Sequence, residues 1–192
     1  MSHQIKLFKN ISPDKHSSFD DSTFFPIQTH SNNIIEIITG EENIDNSDGL
    51  ITSKDNTFSL GVKTADCAAI CFYDESSYGI IHAGWRGLVN GIVEKMLEKF
   101  TSPEVLVSPL LIEFEIQKDD CYEQIVNKFG EKYFSIIEQD DNPKIVFQFS
   151  KCLQSLLPAN TVFDSQDTFS DPSLASWRRD NTHGRNLTII SN

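Results

Sequence analysis

The stretch TADCAAICFYDESSYGIIHAGWRGL, residues 64–88, sets the architecture. Two apolar runs, AAICFY (68–73) and YGIIHA (78–83), flank a short polar connection, DESS. Together they predict a buried β-hairpin. Cys67 stands at the start of the first strand and His82 near the end of the second, so the hairpin carries both to one rim. Beyond it the period changes. Leu88, Ile92, Met96, Leu97 and Phe100 recur at helical spacing with Glu94, Lys95, Glu98 and Lys99 between them, predicting a helix over about 87–100.

Outward from the hairpin, strands and helices mix. Upstream, IKLF (5–8) predicts an edge strand within a weakly patterned stretch, 1–25. NNIIEIIT (32–39), LIT (50–52) and TFSLGVKT (57–64) predict strands around a turn-rich loop at 40–49. Downstream, EVLVSPLLIEFEI (104–116) has strand character. Residues 118–137 read as a helix interrupted at Gly130. Residues 144–157 read as strand or loop passing into helix, 161–165 as a short strand, and 176–191 as a basic loop ending in a strand. No linker or repeat breaks the 192 residues, which suit a single domain. Without strict βαβ alternation, the pattern predicts an α+β layered fold.

Composition excludes several classes. The chain is 39% hydrophobic and holds 14 Phe, a globular profile with a Phe-rich core. A net charge of −12 argues against generic binding to nucleic acid or anionic membrane. No apolar run nears the ~20 residues of a spanning helix. MSHQIKLFKN has no apolar signal core, so a cytoplasmic location is expected. Cys67, Cys71, Cys121 and Cys152 form no CxxC pair, and Cys71 sits in an apolar strand as core.

Five histidines are present: His3, His16, His30, His82 and His183. His30 lies just before a strand, in PIQTHSNN. Two histidines and a thiolate, His30, Cys67 and His82, match a three-ligand zinc site with one position open. A soft thiolate selects zinc or copper over magnesium. Spacing alone equally allows a small core cysteine and ordinary hydrogen-bonded histidines. Asp66, beside Cys67, either orients a ligand or serves as an acid–base group, or it caps a turn. In HAGWRGL, Gly84 and Gly87 flank Trp85 and Arg86 where a strand meets a helix. That suits close approach to an anion, with Arg86 adding donors, or a tight turn with Trp85 in the core. Arg178, Arg179 and Arg185 cluster in an otherwise acidic chain, as a phosphate site or as a solvated face.

TADC followed by HAGWRG, with QTH upstream and SWRRDNTHGR near the C-terminus, resembles the multicopper polyphenol oxidoreductase, or laccase-like, family, also described as purine nucleoside phosphorylases and, for some members, peptidoglycan editing factors. The resemblance covers roughly 28–100 and 161–190. It implies an α/β/β/α sandwich of mixed sheets and metal ligands at His30, Cys67 and His82. It also implies phosphorolysis of adenosine, inosine, guanosine or methylthioadenosine, together with adenosine deamination. The cofactor implied is Zn2+, with Cu as the alternative; the partners are a purine nucleoside and phosphate. The chain departs from the family pattern at Ser31 (commonly Gly), at Ser108-Pro109 and at Asp167-Thr168, and its N-terminal portion is short. Three other readings stand beside this one. One is a Cys–His amide hydrolase acting on peptidoglycan precursors. Another is a copper phenol oxidase, for which five histidines are too few to build a full multicopper centre. The third is a family member that has drifted to a binding role.

Overall fold

The computed structural model describes residues 3–13, 15, 19, 22–138 and 143–192; His16 lies outside them. In chain order the described strands are β1 (Gln4–Ile11), β2 (Thr23–Phe24), β3 (Ile34–Glu36), β4 (Gly49–Ser53), β5 (Ser59–Thr64), β6 (Ala68–Tyr73), β7 (Ser77–Ala83), β8 (Glu104–Val107), β9 (Phe114–Ile116), β10 (Phe134–Ile137), β11 (Lys144–Phe147), β12 (Val162–Phe163) and β13 (Arg185–Ser191). The helices are α1 (Trp85–Val89), α2 (Ile92–Leu97), α3 (Asp120–Phe129), α4 (Phe149–Gln154) and α5 (Trp177–Asp180). Three sheets result, ordered β12-β8-β6-β7-β4-β3, β1-β13-β5-β2 and β10-β11-β9. The first two mix parallel and antiparallel pairs, so the α+β, mixed-sheet expectation holds.

The predicted hairpin forms the middle of the largest sheet, with Ala68 opposite Ala83 and Ile70 opposite Ile81. Its strands are apolar throughout because both faces are covered. Ala68, Ile70, Phe72, Ile81 and Ala83 pack with the helices, through Leu88, Ile92, Met96, Phe149 and Leu153. Ala69, Cys71, Tyr78 and Ile80 point the other way, onto Leu60, Val62 and Ile190 of the four-stranded sheet. The period of two therefore places one hairpin in two cores. The outer face of the four-stranded sheet is covered by linked rings, Phe8 on Phe19 and Phe19 on Phe25.

Three expected elements differ. The helix over 87–100 is two short helices, because Gly91 adopts a left-handed φ of 79° between them. The run 104–116 is split: after β8 the chain leaves the large sheet at Ser108-Pro109, and β9 joins the small one. The helix over 118–137 stops at Phe129, where Gly130 turns with φ 78°. A 3-10 turn and β10 follow, with β10 paired to β11.

Candidate functional site

The rim anticipated for Cys67 and His82 is real and carries more than the hairpin. Antiparallel register aligns the end of β7 with the starts of β4 and β6, and the end of β5 with the start of β13. Between β5 and β6 the chain passes from one sheet to the other in three residues, Ala65–Asp66–Cys67. Asp66 takes a φ of 93° to make that step.

His30, Cys67 and His82 meet at this rim, each offering a ligand atom within 4.8 Å of the others. Cys67 Sγ lies 3.9 Å from His30 Nε2, and the two imidazole rings stand edge to face at 4.7 Å. His82 is buried, and its Nδ1 sits 2.7 Å from Asp48 Oδ1. A carboxylate only accepts, so Nδ1 carries a proton and Nε2 is left as the nitrogen on offer to a metal. Burial acts to push the Cys67 thiol up, but the neighbouring His82 and His30 rings outweigh it and hold it at about 6. Burial likewise opposes the charged form of His82. The Cys67 sulfur and Asp48 overcome it and raise the ring to about 9.

Asp48 was not legible as a site residue, since NSDG reads as a turn. Its buried carboxylate accepts from the backbone N–H of Thr29, His30 and Ser31, from Ser31 Oγ at 2.8 Å, and from His82. One side chain thus sets the backbone of one histidine and the ring of the other. Burial would push its acid up, but hydrogen bonds from His82 and Ser31 hold it at about 2. His30 itself has φ 60°, strained for a non-glycine residue and held by these bonds. Ser31, where the family pattern commonly has Gly, supplies two of them, through its N–H and its Oγ, and a glycine could supply only the first. Gln28 of the QTH segment exchanges two hydrogen bonds with the backbone of Lys63, each 2.8 Å, continuing the ladder past β2.

These donors fit a metal ion: two imidazoles, one with its tautomer fixed by a carboxylate, and a thiol inclined to ionise. Gly84 closes the cradle. A Cβ there would stand 2.8 Å from Cys67 Sγ and 3.1 Å from His30 Cδ2. Gly84→Ala is therefore expected to weaken zinc affinity about tenfold or more in a chelator-competition titration, as disturbed ligand support does elsewhere. Unchanged affinity would show that the cradle is not needed.

The triad faces a cavity of about 690 Å³, within the range of small-molecule sites. Phe25, Trp85, Phe114, Phe149 and Trp177 supply rings to its lining, and Lys63, Arg86, Arg178 and Arg185 supply cations. Trp85 packs against the helical core and also lines the cavity, with Arg86 4.5 Å above its ring. Arg178 lies 4.1 Å over Phe114. Arg179 is not in the cavity lining. Its guanidinium bonds the carbonyls of Thr168, Phe169, Asp171 and Leu174 and pairs with Asp180, which fixes the 168–174 loop. Sequence proximity to Arg178 put it in the phosphate cluster; the turn of α5 sends it away. Asp66 lies in the lining with both carboxylate oxygens occupied, by Thr168 Oγ1 and by the N–H of Arg178 at the start of α5, each at 2.8 Å. Lys63 carried no signal beyond being a lysine in a strand.

Mixed sheets with a two-histidine, one-cysteine rim site define a recognisable class. The chain belongs to the multi-copper polyphenol oxidoreductase laccase family, whose model matches residues 11–192. It is 32% identical to a protein of Aquifex aeolicus named purine nucleoside phosphorylase, over 88% of this chain and 82% of that one. A Rickettsia prowazekii protein of the same name is 28% identical over 81% of this chain and 70% of its own length. Among solved structures, the hypothetical protein YfiH of Bacillus licheniformis shares the fold with a TM-score of 0.75. It is 22% identical over 92% of this chain and 77% of that one. Among the described residues, no helix is long and apolar enough to cross a membrane.

Proposed function

We propose that the protein is a zinc-dependent purine nucleoside phosphorylase acting on adenosine, inosine, guanosine or methylthioadenosine, and that it also deaminates adenosine. One observation carries this reading: the ligand atoms of His30, Cys67 and His82, within 4.8 Å of one another, face a cavity walled by rings and cations. Those three residues would hold the ion, and copper is the other metal their thiolate admits. When bound, zinc supplies Lewis acidity at neutral pH.

The chain's own residues do the rest. Arg86 and Arg178 form no ion pair among the described residues, and they present guanidinium groups to inorganic phosphate. Arg185 lines the other wall of the cavity, at the start of β13. Trp85, Phe114 and Trp177 offer flat apolar faces to the purine. Asp66 works by position, tying Cys67 to the helix that carries Arg178. In phosphorolysis a phosphate oxygen bonds to the anomeric carbon as the bond to the purine nitrogen breaks. The base leaves with that electron pair and takes up a proton. In deamination a water oxygen bonds to the amino-bearing carbon and ammonia leaves.

Incubating zinc-loaded protein with adenosine tests this directly. Adenine and ribose 1-phosphate are expected only when phosphate is present, and inosine with or without it. Arg178→Ala is expected to raise the KM for phosphate about tenfold, the scale of one charge-assisted contact. Failure to form either product would refute the reading.

A second reading has its own support. Cys67, with its lowered pKa and two adjacent imidazoles, has the make-up of a Cys–His nucleophile for amide bonds, such as those of peptidoglycan precursors. A covalent adduct on Cys67 of metal-free protein, seen by mass spectrometry, would favour it.

A further inference from the structure

The cavity holds more positive charge than one inorganic phosphate and a neutral nucleoside require. Four cations line it in a chain of net charge −12. They fall into two sets. Arg86 and Arg178 sit over Trp85 and Phe114, and both act electrostatically on Cys121 of α3. Lys63 and Arg185 belong to the other wall, on β5 and β13. Lys63 pairs with Leu187 and Thr64 with Asn186. That register puts Lys63 and Arg185 on one face in diagonal positions, about 7–8 Å apart at the backbone, a gap a phosphate group can bridge.

Neither has a carboxylate partner among the described residues. Among the described residues, the Lys63 ammonium lies over the Phe25 ring, 5.3 Å from its centroid, and burial lowers its pKa, so its charge is partly desolvated. The Gln28 amide clamps its backbone on both sides. Arg185 anchors Nη1 on the carbonyls of Thr182 and Gly184, which fixes the direction of its guanidinium. The nearest acid in the lining, Asp66, has both oxygens occupied.

We propose that Lys63 and Arg185 form a second anion subsite that holds the phosphate ester of a nucleoside 5′-monophosphate, so that the site takes nucleotides as well as nucleosides. This rests on the purine-site reading above and extends its substrate class.

Calorimetric titration of the zinc-loaded protein with adenosine and with adenosine 5′-monophosphate tests it. The nucleotide is expected to bind about tenfold tighter or more, the scale of one or two charge-assisted contacts. That ratio is expected to fall to about one in Lys63→Gln and to recover in Lys63→Arg, which restores the positive charge and its donors. It persists in Lys6→Gln, which removes an exposed charge on β1. If Lys63→Gln does not fold, Arg185→Gln gives the same reading. Equal affinities in the wild type, or an unaltered ratio in Lys63→Gln, overturns the subsite. The outcome separates from that of the catalytic reading. Tighter nucleotide binding with no turnover of any nucleoside keeps the subsite and removes the phosphorylase. Turnover of adenosine with no nucleotide preference does the reverse.

Discussion

Cys67→Ala protein is expected to purify without stoichiometric zinc and to show neither phosphorolysis nor deamination of adenosine above background. The loss is on the order of a thousandfold or more, as when one member of a catalytic unit is removed. Cys67 supplies the one soft donor of the triad, and two imidazoles alone leave the ion with half its tetrahedral shell. Stability should change little, because Cys67 is only partly buried and its contact with His30 is long, at 3.9 Å. Urea unfolding alongside metal analysis separates loss of the site from loss of the fold. Near-normal turnover in this variant would remove the triad from the chemistry. If chelated wild type stays active while the variant does not, the Cys–His hydrolase reading takes its place.

Asp48→Asn has the second largest expected effect, and it acts without touching substrate. The carboxylate gathers five donors. An amide keeps one acceptor oxygen and turns an NH2 group toward donors that need an acceptor. If the NH2 faces His82, the ring must accept at Nδ1 and carry its proton on Nε2, the nitrogen needed by the metal. If it faces Ser31, the loop holding His30 loses its anchor. Zinc affinity is expected to fall about 10–100-fold, as for lost carboxylate support elsewhere. Breaking so buried a pair is also expected to lower unfolding free energy by about 3–5 kcal/mol. Chelator competition and urea denaturation measure the two separately. Wild-type values in both would mean that Asp48 neither orients His82 nor holds His30.

The sequence disclosed unequal parts of this. The β6–β7 hairpin was legible because unbroken apolar strands are what a doubly covered sheet demands. Cys67 and His82 followed as its rim positions. The helical face of Leu88, Ile92 and Met96 was also legible, and it survives the break at Gly91 because both short helices press onto the same core. Where a backbone turn decided the outcome, the pattern misled. Gly130 ends a helix and starts a strand, and the exposed Ile136 and Ile137 of β10 look helical only until β11 is placed beside them. Asp48 and Lys63 were invisible for a different reason. Their roles come from partners 17 to 35 residues away, across a loop and a neighbouring segment. Arg179 was misplaced because adjacent side chains on a short helix diverge.

The placement of the three donors has a consequence for biogenesis. Cys67 and His82 flank one hairpin and come together as soon as β6 pairs with β7. His30 joins them only when its loop docks on Asp48, at the start of β4. A half-collapsed polypeptide would therefore offer an ion two of the three donors, and the full set exists only once that loop is seated.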